Sequence, residues 1–140
     1  MKTYNTSIEI AATAERTWSA LTDGLHRDPV PFRIQRLEGQ IAQGSRIKLW
    51  SDLSPNRAFK LHVTVFDAPH KMVWRSGMPF GLFSGERTFL LSPRDGKTRF
   101  DMQEIFRGVL SGMIVKSIPD LTPSFEKFAQ TLKEKAENHD

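Results

Sequence analysis

A helical stripe at one end of the chain and a β-type run through its middle leave few ways to bury apolar surface. In the closing segment DLTPSFEKFAQTLKEKAE, Leu121, Phe125, Phe128 and Leu132 recur at steps of four, three and four among charged and polar residues, which puts them on one helical face. At the start, TSIEIAA alternates Ile8 and Ile10 with Ser7 and Glu9, and TAERTWSALTD then switches to helical spacing with Trp18 and Leu21 together. Between these ends lie RIQRLEG, SRIKLWSDLSP, RAFKLHVTVFDAP, KMVWRSGMP, GERTFLLSPRDGKTRF and DMQEIFRG, each bounded by Gly, Pro, Asp or Ser. With the opening strand they make seven β segments. A curved sheet closing on the last helix covers both apolar faces and encloses a pocket, so the expected class is α+β.

The connections favour an antiparallel meander. Asp95 and Gly96 separate two alternating segments, a strong hairpin signal. DAPHK and LSPNR are also read as turns, too short for a crossover helix. In DGLHRDPVPF, Gly24, Pro29 and Pro31 predict an irregular or single-turn connection after the first helix. Pro119 and Pro123 predict a short lead-in followed by a helix of about 15 residues, with Asp120 or Thr122 at its start.

Length and composition narrow the function classes. The 140 residues suit one domain, residues 1–140. The absence of cysteine excludes disulfides, thiolate metal sites and cysteine nucleophiles. There is no apolar run of membrane-spanning length and no signal-peptide core, so a soluble cytoplasmic protein is expected. The net charge of +4 arises in residues 1–80, which hold 11 Lys/Arg against 7 Asp/Glu, while residues 81–140 hold 9 of each. The cations are scattered without interleaved aromatics, which argues against nucleic-acid binding.

Alternation assigns faces. Phe59, Leu61, Val63 and Val65 oppose Lys60, His62 and Thr64 and are expected inside; Arg87, Phe89 and Leu91 share a face, as do Thr98, Phe100, Met102, Glu104 and Phe106. Arg87 and Glu104 thus fall on apolar faces, where a charge must be paired, hydrated or used. They either pair with each other or solvent at the sheet margin, or anchor a ligand. GMPFGLFSG, from Gly77 to Gly85, carries Met78, Phe80, Leu82 and Phe83; it folds onto the core, or serves as a lid or half of a dimer contact. His26, between Asp23 and Asp28, is a surface histidine or a proton-transfer group at the cavity entrance. His62, His70 and His139 complete the histidines, with no metal-ligand spacing, and His70 and His139 are expected in solvent. No nucleotide or nicotinamide fingerprint occurs, so no cofactor is expected. Trp18 is expected in the core; Trp50 and Trp74 could flank a pocket.

IEIAATAERTWSALTD, LEGQIAQGSRIKLW, GERTFLLSPRDGKTRFDMQEIFRGVL and FEKFAQTLKEKAE occur in the order seen in START-related, polyketide-cyclase-like helix-grip proteins (SRPBCC), and the chain resembles that superfamily over nearly its whole length. Gly85 and Glu86, and the Glu104-x-Phe106-x-Gly108 segment, match its recurrent pattern, with Arg87 in place of the His that often follows the Gly-Glu pair. The resemblance implies a seven-stranded antiparallel sheet, two short helices between the first and second strands, and a long C-terminal helix gripped by the sheet. It also implies carriers or sensors of hydrophobic molecules, polyketide cyclases, or chaperone-activating domains.

Three functions follow. In the first, a lipid-like or aromatic small molecule binds between sheet and helix, with Phe59, Leu61, Val63, Phe89, Phe100, Met102, Phe125 and Phe128 as wall, Trp50 and Trp74 flanking, and Arg87 or Glu104 as anchor. In the second, the same cavity catalyses a cyclase or dehydrase reaction through Glu104, Arg87 and His26. In the third, the loop from Met78 to Phe83 contacts a protein partner. A monomer or homodimer is expected.

Overall fold

The computed structural model describes residues 1–117 and 119–138; His139, read above as a solvated histidine, lies outside the described residues. Strand β1 (Lys2–Ile10) leads through helix α1 (Ala14–Arg27) and a single 3-10 turn (Val30–Phe32) to β2 (Ile34–Glu38) and β3 (Arg46–Ser51). There follow β4 (Ser54–Asp67), β5 (Lys71–Met78), β6 (Phe83–Arg94), β7 (Lys97–Arg107), the short helix α2 (Ser111–Lys116) and α3 (Thr122–Glu137). The strands form one antiparallel sheet in the order β1-β7-β6-β5-β4-β3-β2. It curls round α3 in the helix-grip arrangement that the resemblance implies.

Local chemistry explains the boundaries. Asp95 (φ 50°) and Gly96 (φ 80°) form the two-residue turn that pairs Arg94 with Lys97. Thr13 caps α1, its hydroxyl accepting the Arg16 N–H at 3.2 Å, and the helix buries Trp18, Leu21 and Leu25. Of the two short helices implied between β1 and β2, the first has 14 residues and the second is only the 3-10 turn. The proline-rich connection allows no more. At the head of α3 the Asp120 carboxylate accepts the Thr122 N–H at 3.0 Å, a bond that holds this exposed carboxyl below its usual range.

Two expectations about the sheet are corrected. The β3–β4 turn is not at Ser54–Asn56 but at Asp52 and Leu53, between the paired Ser51 and Ser54. Pro55 then lies in a bulge before the next pair, Leu49 with Phe59, where its missing N–H breaks no ladder. A second irregularity falls between Val63 and Val65. Val63 pairs with Trp74 on the inner face, whereas Val65 pairs with Val73 on the outer face, and Phe66 takes the inner position instead, 5.3 Å from the Trp18 ring. One extra residue reverses the alternation, so the inward run Phe59, Leu61, Val63 continues in Phe66, not Val65.

Helix α3 holds these parts together. It buries Phe125, Phe128, Ala129, Leu132 and Ala136, and Phe128 lies 4.8 Å from Phe32, 5.9 Å from Phe89 and 6.2 Å from Phe100, ring centre to ring centre. Polar ties fix its far end. Thr131 donates to the Pro31 carbonyl at 2.8 Å, Lys133 to the Glu9 carbonyl at 3.1 Å, and Glu137 accepts the Ala11 N–H at 2.7 Å. No helix among the described residues is long and apolar enough to cross a membrane.

Phe128→Ala removes a ring shared by the 3-10 turn, two strands and α3, and is expected to cost about 3–5 kcal/mol. Urea denaturation of both proteins, compared at equal slope, measures it.

Candidate functional site

The register carries one row of inward side chains across five strands: Tyr4 on β1, Glu104 on β7, Arg87 on β6, Trp74 on β5 and Val63 on β4. Two of the five are charged. Arg87 Nη2 donates to Glu104 Oε1 at 3.2 Å, with the side chains 22% and 13% exposed. The guanidinium lies 4.8 Å from the centre of the Phe125 ring on α3, close enough for a cation–π contact. Tyr4 packs against the same ring at 5.9 Å and against Phe106 at 6.2 Å. Next to Arg87, Trp74 is 2% exposed and its indole N–H meets no protein acceptor among the described residues. A buried donor without a partner is uncommon and costly.

Either side of this row differs. Toward the far end of α3 the interior is full: Phe89, Met102, Phe100 and Leu91 are almost completely buried, and Trp74 packs on Phe89 at 4.7 Å. Toward the tip of the β5–β6 hairpin the apolar side chains are less completely buried. Gly85 admits the Phe106 ring, since a Cβ there would stand 3.2 Å from that ring and 3.3 Å from Ser76 Oγ. Phe83 stacks on Phe106 at 5.7 Å. Helix α3 lies against β1, β7, α1 and the 3-10 turn. Phe59, Leu61, Phe83, Val115 and Leu121 are only half-buried against the core. The pair thus sits between a filled interior and an incompletely covered apolar strip.

The residues expected from the sequence divide three ways. Val63, Trp74, Phe89, Phe100, Met102, Phe125 and Phe128 are on the inner face, each at most 2% exposed and packed as core. Phe59, Leu61, Arg87 and Glu104 are inward and partly accessible. Trp50 and His26 lie elsewhere. Trp50 pairs with Arg36 on the outer face, its ring 5.1 Å from that guanidinium. His26 is exposed at the end of α1, where Nε2 accepts the Ile41 N–H at 3.3 Å. Its near neighbour Asp28 pairs with Lys135 at 2.8 Å, ten residues, or about 15 Å, along α3 from Phe125. The geometry does not bring His26 to Arg87 and Glu104.

Tyr4, the cross-strand partner of Glu104, and Ser76, opposite Gly85, were missed. Extending the alternation of Ile8 and Ile10 back by two positions and then two more reaches Tyr4, so that signal was present. The hairpin register that brings Ser76 opposite Gly85 was not readable. Among the described residues no group of three or more His, Asp or Glu is placed to hold a metal.

Residues 1–137 match the family described as polyketide cyclase / dehydrase and lipid transport. The chain belongs to that family. Its likeness to solved structures is one of fold. Truncated norcoclaurine synthase from Thalictrum flavum is 17% identical with a TM-score of 0.71, over 99% of this chain and 95% of the synthase. A Mesorhizobium loti protein is 16% identical with a TM-score of 0.74, over 99% of both chains. A hypothetical protein of Helicobacter pylori is 13% identical with a TM-score of 0.76, over 96% of this chain and 88% of the other. No curated protein matches the chain.

In this member of the polyketide cyclase / dehydrase and lipid transport family the carboxyl of the polar pair is tuned by burial. Burial raises the Glu104 carboxyl above its usual 4.5, a rise opposed by the charge and hydrogen bond of Arg87 and reinforced weakly by Glu86. Desolvation therefore outweighs the ion pair. A carboxyl raised in the folded state binds its proton more tightly there than in the unfolded chain. Its contribution to stability is fully present below the unfolded value and is lost as pH rises through the folded value.

Stability attributable to Glu104 should thus fall as pH rises above about 4.5, and Glu104→Gln should flatten that fall in urea midpoints taken from pH 4 to pH 7. Arg87→Met removes the largest opposing influence and should move the Glu104 carboxyl further up, read directly by carbon-13 NMR titration.

Proposed function

We propose that this protein binds a hydrophobic small molecule, lipid-like or aromatic, between the inner face of the sheet and the head of α3. The observation that carries the reading is the Arg87–Glu104 pair, held on an otherwise apolar face beneath Phe125 and beside the unpartnered Trp74 indole N–H. Ligand sites in proteins combine apolar walls with a few convergent polar groups. Here Arg87 and Trp74 offer donors, Glu104 a carboxyl, and Phe59, Leu61 and Phe83 the apolar approach. Family membership supports the same class of ligand. Because the rings around Phe128 fill the deeper interior, the ligand takes the outer half, and its entry requires α2 or the β5–β6 hairpin to give way.

The raised Glu104 carboxyl favours one second reading, a cyclase- or dehydrase-type reaction in which Glu104 hands a proton to a bound polyketide. Binding retained in Glu104→Gln with turnover abolished would distinguish it from simple carriage.

Native mass spectrometry of the purified protein beside its denatured mass, followed by titration with fatty acids and aromatic polyketides, tests the binding reading. A non-covalent adduct is expected, with affinity for an acid-bearing ligand reduced about tenfold or more in Arg87→Met, the magnitude of losing a charge-assisted hydrogen bond. Leu61→Glu, which puts a carboxylate in the apolar approach, should abolish it. No adduct across the panel, or affinities unchanged in both variants, would overturn the assignment.

A further inference from the structure

We propose that the tip of the β5–β6 hairpin, with the outer sheet face behind it, docks this protein on an anionic membrane surface. The tip is the turn Pro79–Leu82, closed by the Leu82 N–H to the Pro79 carbonyl at 3.3 Å. Its central residues are Phe80 at φ +61° and Gly81 at φ +68°. The first of these positions ordinarily takes Asn, Asp or Gly, and a bulky ring there is a backbone outlier. Phe80 is nevertheless 96% exposed. The chain accepts local strain to hold an aromatic ring in water, and folding gains nothing from it.

Phe80 does not stand alone. The Leu110 N–H bonds the Leu82 carbonyl at 2.9 Å, and Gly108 at φ +109° passes so close that a Cβ would meet that carbonyl oxygen at 2.6 Å. The hairpin tip and the β7–α2 connection therefore form one surface, to which Val109 adds 81% exposure and Met113 65%. The charge around it has one sign. Residues 76–85 carry none, and residues 105–117 carry only Arg107 and Lys116.

A groove of about 910 Å³, lined also by Ile47, Leu61 and Phe83, runs from Met78 and Pro79 to Arg75, Lys60, Lys48 and Arg46. Lys48 and Lys60 are direct cross-strand partners, as are Arg46 and His62, and His62 and Arg75. Like charges placed opposite one another destabilise a sheet. Among the described residues none of these four Lys and Arg side chains forms an ion pair. Two carboxylates are near: Glu38, taken by Arg36, and Glu86, the cross-strand neighbour of Arg75.

An anionic bilayer accounts for both halves. It offers acyl chains to Phe80, Val109 and Met113, and headgroup charge to the cations behind them. A second copy would bring this cationic face against itself, and a nucleic acid would use the cations while leaving the apolar tip in water.

Co-sedimentation with vesicles of phosphatidylcholine, alone or with about one-third phosphatidylglycerol, tests it. Wild-type protein should bind the anionic vesicles, weakly or not at all the neutral ones, and lose binding in high salt. Phe80→Asn, whose side chain suits the turn, should keep or raise the melting temperature while lowering vesicle affinity about tenfold. Lys48→Gln and Lys60→Gln should each lower it about fivefold. Four outcomes overturn the proposal: no binding to anionic vesicles, equal binding to neutral ones, full binding by Phe80→Asn, or a dimer in gel filtration that ignores vesicles and that Phe80→Asn dissociates.

Discussion

The Phe128 ring is the contact on which the other parts of the molecule depend. It joins α3 to the 3-10 turn through Phe32, to β6 through Phe89 and to β7 through Phe100. A curved sheet cannot bury its inner face against itself, and a single amphipathic helix gains little stability alone. Each therefore needs the other, and Phe128 lies where they meet. Thr131 ties α3 to the 3-10 turn, and Lys133 and Glu137 clasp its far end to the β1–α1 region. These ties leave the Phe125 end of the helix as the side where the fold is least closed.

The charged pair sits at that less closed end. A carboxylate and a guanidinium on an apolar face give up hydration that their mutual attraction only partly returns. The raised Glu104 carboxyl is the direct sign of that imbalance. A well-packed apolar pair would serve stability as well or better, which supports the proposal that Arg87 and Glu104 contact a ligand. The Trp74 indole N–H beside them has no protein acceptor among the described residues.

Much of this was legible in the sequence because periodicity is a local property. The spacing of Phe125, Phe128 and Leu132 and the alternation of Phe100, Met102 and Glu104 identified their elements and put Arg87 and Glu104 on inner faces. The Asp95–Gly96 turn was readable because left-handed backbone suits few residues. What failed were readings that depended on register. Val65 was expected inside until a bulge turned it outward in favour of Phe66, and the β3–β4 turn lay two residues before the Ser-Pro-Asn that suggested it. Trp50 looked like a pocket residue from its composition of neighbours, yet the β2–β3 pairing places it against Arg36 outside.

By itself the sequence determined the order of strands and helices, the stripe that α3 buries, and the presence of two charges on apolar faces, since each follows from side-chain periodicity within one element. Only the tertiary structure decided that those charges meet across β6 and β7, that His26 stays at the opposite end of α3, and that most of the expected wall is close-packed core. It also decided that the apolar hairpin tip leaves Phe80 in solvent and that Lys48 and Lys60 face one another across two strands. Contacts of this kind depend on strand pairing and sheet curvature, which bring together residues tens of positions apart, and no local pattern records those distances.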